Sequence, residues 1–216
     1  MPETSDADLV LHYAPRTRSF TVLWLLEELG RPYRLASFDI NTGHHKDPEY
    51  LAINPMGKVP AVVDRGVPVT ETGAIAIYLA DRYPQAGLAP ALDDPRRPDF
   101  LRWIFFAQAI MEPAYGEKFF KWSVPARSVA WGSFDQMLAV LTAGVQPGPW
   151  LLGDTFTAAD VLVGSTARFG VLFGALPKEG PVADYVTRVS SRDAFARASA
   201  IEARESARFP PPKPAT

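Results

Sequence analysis

Two kinds of apolar spacing alternate along the first part of the chain. The short apolar run LVLHYA, residues 9–14, predicts a buried strand. The segment SFTVLWLLEELG, residues 19–30, instead spaces its leucines and valine as one face of a helix does. Gly30 is suited to the position just after the last residue of a helix, and Pro32 prevents the helix from continuing. The pattern therefore predicts a strand followed by a helix.

The next segments extend this α/β pattern. PYRLASFDI, residues 32–40, predicts a second strand, and the polar stretch NTGHHKDPEY after it predicts a loop with a short helix. VPAVVD and RGVPVT, residues 59–70, predict two strands joined as a hairpin across the turn at residues 64–66. TGAIAIYLADRY, residues 72–83, predicts a closing helix. The order β-α-β-α-β-β-α favours one mixed sheet with helices packed on it.

The rest of the chain shows helical patterns only. Residues 85–98 are rich in proline and poor in large apolar side chains, which is typical of a linker. Long amphipathic segments follow and predict an all-α domain, with a kink in its first helix at Pro113. Further on, Thr157 stands three residues before Asp160 at the start of an apolar run, which is the spacing of a helix capping box.

Composition narrows the classes of function. Of the 216 residues, 47% are hydrophobic and 21% are charged, as expected of a soluble globular protein. The formal charge of −2, without any basic run, gives no electrostatic basis for binding nucleic acid or an anionic membrane. No apolar segment approaches the roughly 20 residues of a membrane helix, and the start lacks a secretory pattern, so a cytoplasmic protein is expected.

The absence of cysteine limits the chemistry. Without cysteine, the chain forms neither a disulfide nor a thiolate metal site, and any thiol chemistry must use a thiol from another molecule. The three histidines, His12, His44 and His45, lack the spacing of a metal site. We therefore expect no metal.

A proline directly before the third predicted strand requires an explanation. Because Pro60 has no amide hydrogen for a strand ladder, it fits the first residue of a strand, a bulge or an edge. Two explanations are open: Pro60 is an ordinary proline at the start of a strand, or it marks a sheet edge that is kept free for a ligand.

Glu71 and Thr72 lie at a second junction, where a strand is followed by a helix. Thr72 is a good N-cap, and amides at a helix start can bind an anion.

The motifs around these positions resemble those of one family. APRTRSFTVLWLLEELG, GHHKDPEYLAINPMGKVPAVVD, TETGAIAIYLADRYP and WLLGDTFTAADVLV are similar, in this order, to patterns of the cytosolic glutathione transferases. The resemblance implies an α/β thioredoxin-like N-terminal domain, an all-α C-terminal domain and a homodimer. The expected division is residues 8–84 for the thioredoxin-like domain, 85–98 for the linker, 99–207 for the helical domain and 208–216 for a flexible proline-rich tail.

The resemblance also implies that glutathione is the co-substrate. In this family the residue before the proline, here Val59, offers its backbone N–H and C=O to the cysteinyl part of glutathione, as if the tripeptide were a strand added at a free edge. The bond between Val59 and Pro60 is then cis. Thr72 would contact the γ-glutamyl carboxylate, and Glu71 would help to hold the α-amino group.

The other end of glutathione has its own candidates. Lys58 resembles a family position, often glutamine or lysine, that contacts the glycine carboxylate. His45 and Lys46 match a pair that reaches the same end of the tripeptide in some classes. The alternative for Lys58 and Lys46 is that they are ordinary solvated loop lysines.

The residue that ionises the thiol is expected just after the first strand, at the start of the first helix. In this window, YAPRTRSF, the positions that carry catalytic serine, cysteine or asparagine in related classes fall near residues 16–18. Thr17 is the only hydroxyl among them, and Arg18 replaces the cysteine or asparagine of some bacterial classes. Thr17 is our first candidate for this role and Arg18 is our second. We expect Ser19 to cap the helix. Tyr13 matches by strand position the catalytic tyrosine of other classes.

A small hydrophobic electrophile would bind between this window and the helical domain. Tyr115, Phe119 and Trp122 are spaced four and three residues apart on the long predicted helix, so they could line an apolar pocket from one face. Packing in the core is the alternative for such a stripe.

Together these features predict a glutathione transferase. The enzyme would bind glutathione, promote its thiolate and transfer the sulfur to an electrophilic carbon or a peroxide oxygen. Because Arg18 occupies the expected donor position, a non-catalytic binding or regulatory protein of the same fold is an alternative. A glutathione-dependent isomerase or lyase, or a disulfide reductase, is another.

Overall fold

The computed structural model describes residues 8–211, and the chain divides into two compact units. The first unit combines the chain up to Leu79 with the chain from Asp193 onward, and the second runs from Ala80 to Arg192. Among the described residues, no helix is long and apolar enough to cross a membrane.

The first unit contains a four-stranded mixed sheet. Its strands are β1 (Leu9–Tyr13), β2 (Arg34–Ser37), β3 (Ala61–Asp64) and β4 (Val67–Thr70), in the order β2-β1-β3-β4. β1 runs parallel to β2, as expected for strands joined by a helical crossover, and the other two pairings are antiparallel. The predicted mixed sheet is confirmed.

Two helices connect these strands and a third follows β4, which confirms the predicted element order. They are α1 (Ser19–Leu29), α2 (Pro48–Leu51) and α3 (Thr72–Arg82), with 3₁₀ turns at Ile40–Thr42 and His44–Lys46. Gly30 ends α1 as predicted: its φ of 66° is left-handed, and its N–H donates to the carbonyl of Leu26. α3 starts at Thr72 itself, so the residue before the helix is Glu71 rather than the predicted cap Thr72.

The last helix, α9 (Asp193–Arg208), belongs to the first unit. Phe195 packs edge-to-face on Trp24 of α1, with ring centroids 5.1 Å apart. The Arg197 guanidinium donates to the carboxylate and to the carbonyl of Glu27, each at 2.8 Å. The sequence predicted α9 as part of the helical domain, and these contacts with α1 explain why it groups with the sheet instead.

The second unit is helical. Its helices are α4 (Arg97–Phe105), α5 (Glu112–Phe120), α6 (Phe134–Val145), α7 (Ala158–Leu172) and α8 (Pro181–Ser190), with 3₁₀ turns at Pro84–Ala86 and Ala126–Ser128. The single long helix predicted around Pro113 is interrupted by a π-helical segment, Phe106–Met111, between α4 and α5. Pro113 is in the first turn of α5, where its missing N–H and its ring are tolerated after the wider π turns.

The predicted tail lies mostly beyond α9. Arg208, the first residue of the predicted tail, is the last residue of that helix. Residues 212–216 lie outside the described part of the chain.

A buried carboxylate organises the start of α7. Thr157 and Asp160 form the predicted capping box. Asp160 is fully buried and accepts hydrogen bonds from the backbone N–H groups of Thr157 and Leu151, both at 2.9 Å, and from the Tyr185 hydroxyl at 3.0 Å. Burial raises the pKa of Asp160, while these hydrogen bonds act in the opposite direction. One side chain therefore joins α7, α8 and the loop before α7.

Removing this carboxylate should cost far more than removing an ordinary helix cap. In Asp160→Ala the N–H groups of Leu151 and Thr157 and the hydroxyls of Thr157 and Tyr185 lose an acceptor, so we expect the free energy of unfolding to fall by about 3 kcal/mol or more. The matched control is Ser133→Ala at α6, where the hydroxyl accepts the N–H of Gln136 at an exposed site and the expected loss is about 1 kcal/mol. Urea denaturation measures both, and equal losses would contradict the central role of Asp160.

Candidate functional site

Three chain segments leave the sheet at the same end. In the antiparallel register His12 pairs with Ala61, and Ala61 pairs with Thr70. The C-terminal ends of β1 and β4 and the N-terminal end of β3 therefore lie side by side. The residues that follow β1, precede β3 and follow β4 include most of the predicted glutathione and thiol residues: Thr17, Arg18, Lys58, Val59, Pro60, Glu71 and Thr72.

The Val59–Pro60 bond is cis, as the resemblance implied. The prediction of a free sheet edge at this position is wrong, because β3 is an inner strand and the edge strands are β2 and β4. Within residues 8–211, however, neither the backbone N–H nor the C=O of Val59 has a hydrogen-bond partner. The unpaired groups therefore lie at the end of the sheet, just before β3.

The segment before Val59 is held by two side chains that sequence reasoning missed. The Lys58 carbonyl accepts hydrogen bonds from the Tyr50 hydroxyl at 2.6 Å and from the Asn54 amide at 2.8 Å. Tyr50 and Asn54 are both buried. Because they fix the carbonyl of Lys58, they also orient the peptide group that carries the N–H of Val59. Tyr50 is the last residue of the polar stretch and Asn54 lies in the turn after α2, and neither position has a periodic signal that could have revealed it.

The His45–Lys46 turn packs against the same segment. The Lys46 ammonium donates to the Met56 carbonyl at 3.3 Å. Gly57 lies so close that a Cβ added to it would be 2.7 Å from the carbonyl oxygen of His45, so a side chain there would displace this turn. Nδ1 of His45 is buried and has no hydrogen-bond partner among the described residues. The structure thus brings the three candidates for the glycine end into one region.

Glu71 joins β4 to α3 in a left-handed conformation. Its φ is +66°, which is uncommon for a residue with a side chain. Its carbonyl accepts the N–H of Ile75, and its side chain is exposed. α3 then starts at Thr72, so the positive end of an 11-residue helix lies next to the Glu71 carboxylate. This junction can attract a carboxylate and an ammonium group side by side.

The loop after β1 contains two hydroxyl groups in contact. Oγ1 of Thr17 and Oγ of Ser19 are 2.6 Å apart, and both lie within hydrogen-bond distance of the Ala14 carbonyl, at 2.7 and 2.8 Å. Each hydroxyl has a single hydrogen, so one must donate to the other and the second to Ala14. Ser19 is buried and also accepts the N–H of Ala14, so the prediction that its side chain caps α1 is wrong.

The other two candidate donors to the thiol, Tyr13 and Arg18, differ in whether a ligand can reach their side chains. Tyr13 is fully buried, and its hydroxyl has no hydrogen-bond partner in the described chain, so a ligand cannot reach it in this conformation. Arg18 is half-buried directly before α1, and its side chain makes no capping hydrogen bond to that helix. Thr17, also half-buried, combines a hydroxyl with access from outside.

One contact in this loop was not predictable from the sequence. Arg16 has a φ of +61°, and its N–H donates to Oε1 of Glu202 in α9 at 2.8 Å. Its guanidinium donates to the carbonyl groups of Ser206, at 3.2 Å, and Phe209. Arg16 and Glu202 are 186 residues apart in the chain, and neither belongs to a local motif.

The predicted electrophile residues are in the second unit and do not share one face. Tyr115 is buried, and its hydroxyl donates to the Thr166 carbonyl at 3.2 Å. Phe119 is exposed at the end of α5. Trp122 follows that end, and its ring folds back over Gly116. The one-face prediction is therefore wrong for Trp122, because α5 stops at a left-handed residue before it.

Of these three aromatic residues, Trp122 lines an open cavity of about 340 Å³. Charged and polar groups provide most of the lining, which consists of Glu117, Lys118, Lys121, Trp122, Ser133, Phe134 and Asp135. Among the residues that the structure describes, no group of three or more His, Asp and Glu side chains could hold a metal ion.

Comparisons with known proteins agree with this architecture. The glutathione S-transferase N-terminal domain matches residues 9–81. The disulfide-bond oxidoreductase YfcG of Escherichia coli is 28% identical over 164 residues, which cover 70% of this chain and 75% of that protein. The glutathione S-transferase-like protein gedE of Aspergillus terreus is 35% identical over 156 residues, which cover 63% of this chain and 67% of gedE.

A solved structure extends the similarity over most of the chain. The glutathione transferase homologue from Sulfitobacter, crystallised with bound glutathione, superposes with a TM-score of 0.73 at 25% identity, covering 91% of this chain and 99% of that one. The fold is a thioredoxin-like α/β domain with a helical C-terminal region. The chain belongs to the glutathione S-transferase family.

Proposed function

We propose that this protein is a glutathione transferase that binds glutathione at the end of the sheet where β1, β3 and β4 meet. The observation that carries the proposal is the unpaired backbone N–H and C=O of Val59, next to the loop that contains Thr17. A tripeptide in extended form can pair with both groups through its cysteinyl residue. This pairing directs the cysteinyl sulfur toward the start of α1.

Groups of opposite charge are available for both ends of glutathione. We assign the γ-glutamyl carboxylate to the start of α3 at Thr72 and the α-ammonium group to the exposed Glu71 carboxylate. Lys58 is assigned to the glycine carboxylate, with His45 and Lys46 close to the same segment. The glutathione bound to the Sulfitobacter homologue supports this ligand.

Thr17 is our candidate for stabilising the thiolate. An unperturbed thiol has a pKa of about 8.5, and lowering it by one unit requires about 1.4 kcal/mol of selective stabilisation. The N–H of Ser19 already donates to Oγ1 of Thr17 at 3.2 Å, and the Ser19 hydroxyl can donate to the same oxygen. Thr17 can then turn its own hydrogen from Ala14 to the sulfur, and donors on its oxygen make it a stronger donor. Arg18 is the second candidate.

Removing only the Thr17 hydroxyl tests this assignment. Thr17→Val keeps the shape of the side chain, and we expect it to lower turnover of an aryl halide at least about tenfold while changing glutathione affinity only a few fold. Thr17→Ser keeps the hydroxyl and should retain most of the activity. Unchanged turnover in Thr17→Val would transfer the role to Arg18.

Neutralising Glu71 tests the γ-glutamyl end. Glu71→Gln keeps the size of the side chain, and glutamine is as strained as glutamate in a left-handed backbone conformation. The variant therefore differs mainly in charge. We expect glutathione binding, measured by calorimetry, to weaken about tenfold, because a charged hydrogen bond contributes about 1.5–3 kcal/mol. Glu49→Gln on the exposed face of α2 is the matched control. Equal affinities for both variants would show that Glu71 does not hold the ammonium group.

Disulfide reduction is a second candidate function, and the similarity to YfcG favours it. A glutathione thiolate would attack one sulfur of a disulfide and release the other as a thiolate. The thiolate of a second glutathione would then attack the glutathione sulfur of the mixed disulfide, which breaks its S–S bond, releases the second substrate sulfur as a thiolate and forms oxidised glutathione. The chain has no cysteine, so both thiols must come from glutathione. Turnover of a small disulfide without turnover of aryl halides or peroxides would favour this candidate, and glutathione binding without any turnover would favour a regulatory protein.

We also propose a homodimer and a hydrophobic electrophile. Large apolar side chains exposed in each unit, such as Met56, Val67 and Phe105, would be covered by a second copy. Phe119 and Trp122 remain our candidates for contacting the electrophile. Tyr115 is buried in the core of its unit and is not assigned to this contact.

A further inference from the structure

The loop that contains Thr17 is held in place by the C-terminal helix. Arg16, the residue before Thr17, donates its N–H to Glu202 and its guanidinium hydrogens to the carbonyl groups of Ser206 and Phe209. Ser206 belongs to the last turn of α9, where helical carbonyl groups lack partners within the helix. The side chain of Arg16 therefore completes the end of α9, while its backbone is fixed by the Glu202 carboxylate.

The backbone conformation of Arg16 explains why such a contact is needed. A left-handed residue with a side chain is strained and persists only where its surroundings enforce it. Because Arg16 comes directly before Thr17, its dihedral angles determine where the chain places the Thr17 hydroxyl. The hydrogen bond from the Arg16 N–H to Glu202 holds the peptide group between Pro15 and Arg16 in this turn.

Glu202 is poorly suited to a purely structural role. Its Oε1 accepts the Arg16 N–H and the Ser206 hydroxyl, the latter at 3.3 Å, but its Oε2 is buried without a hydrogen-bond partner among the described residues. Burial raises the pKa of Glu202, with the hydrogen bonds from Arg16 and Ser206 acting in the opposite direction. An unsatisfied buried oxygen lowers stability. Because Glu202 lowers stability in this way, its presence here requires an explanation other than folding.

We infer that Glu202 is a positioning residue of the thiol site: it holds Arg16 in the left-handed conformation that places the Thr17 hydroxyl. This inference rests on the proposed function. It makes α9 part of the thiol site although α9 is at the opposite end of the sequence. Glu202 itself does not contact glutathione in this account and acts only through the N–H of Arg16.

A series of variants at Glu202 separates the effect of an oxygen at hydrogen-bond distance from the effect of the negative charge. Glu202→Gln keeps an oxygen within reach of the Arg16 N–H, Glu202→Asp keeps the charge but retracts the oxygens, and Glu202→Met fills the space without an acceptor. The control is Arg197→Ala, which breaks a separate polar contact of α9, with Glu27, and leaves Arg16 untouched. Each full-length variant is titrated with glutathione bound while the ultraviolet absorbance of the thiolate is followed against pH.

We expect the pKa of bound glutathione to rise by about one unit in Glu202→Met and Glu202→Asp, which is a tenfold loss of thiolate below the pKa. Turnover at saturating glutathione should fall by a similar factor, with the glutathione dissociation constant changed only a few fold. Glu202→Gln should keep the wild-type thiol pKa. Arg197→Ala should lower the urea midpoint and leave the thiol pKa unchanged.

Two results would overturn the inference. One is an unchanged thiol pKa in Glu202→Met and Glu202→Asp. The other is an equal rise in Arg197→Ala, which would assign the effect to general docking of α9. If Glu202→Met fails to fold, the comparison of Glu202→Asp with Glu202→Gln decides the question. Failure of the proposed function is a different result, in which the wild-type protein does not ionise bound glutathione at all.

Discussion

The candidate site depends on one pair of backbone groups, the N–H and C=O of Val59. β3 pairs with β1 on one side and β4 on the other, but this pairing starts only at Ala61. Within the described chain, the peptide groups just before it are therefore left without a strand partner on the protein. Backbone polar groups need a partner, and here water or an extended ligand must provide it. The rest of the site surrounds this position because three strand ends meet there.

Two of the surrounding segments are held by contacts from elsewhere in the first unit. Tyr50 and Asn54 hold the carbonyl of Lys58, and α9 holds Arg16. Two of the segments also contain a left-handed residue with a side chain, Arg16 before α1 and Glu71 before α3. Such residues concentrate at functional sites, where surrounding structure compensates for their cost. The loops of this site are therefore preorganised by the scaffold, as binding a small flexible tripeptide requires.

Features that depend on local sequence were predictable. The strand and helix order follows from apolar spacing, Gly30 ends α1 because it accepts a left-handed conformation, and the capping box at Thr157 uses residues three apart. Features that depend on packing between distant segments were not. Nothing near Arg16 in the sequence reveals Glu202, and nothing in α9 reveals that it packs on α1. The inner position of β3 depends on strand pairing, and the π-helical segment before Pro113 depends on how a whole helix accommodates one proline.

The most direct test of this account is a crystal structure of the protein with glutathione bound. We expect the cysteinyl N–H and C=O to lie about 3 Å from the carbonyl oxygen and the amide nitrogen of Val59, respectively, with the sulfur directed toward the start of α1. Glutathione bound elsewhere, or Val59 paired with the protein's own backbone in that crystal, would contradict it.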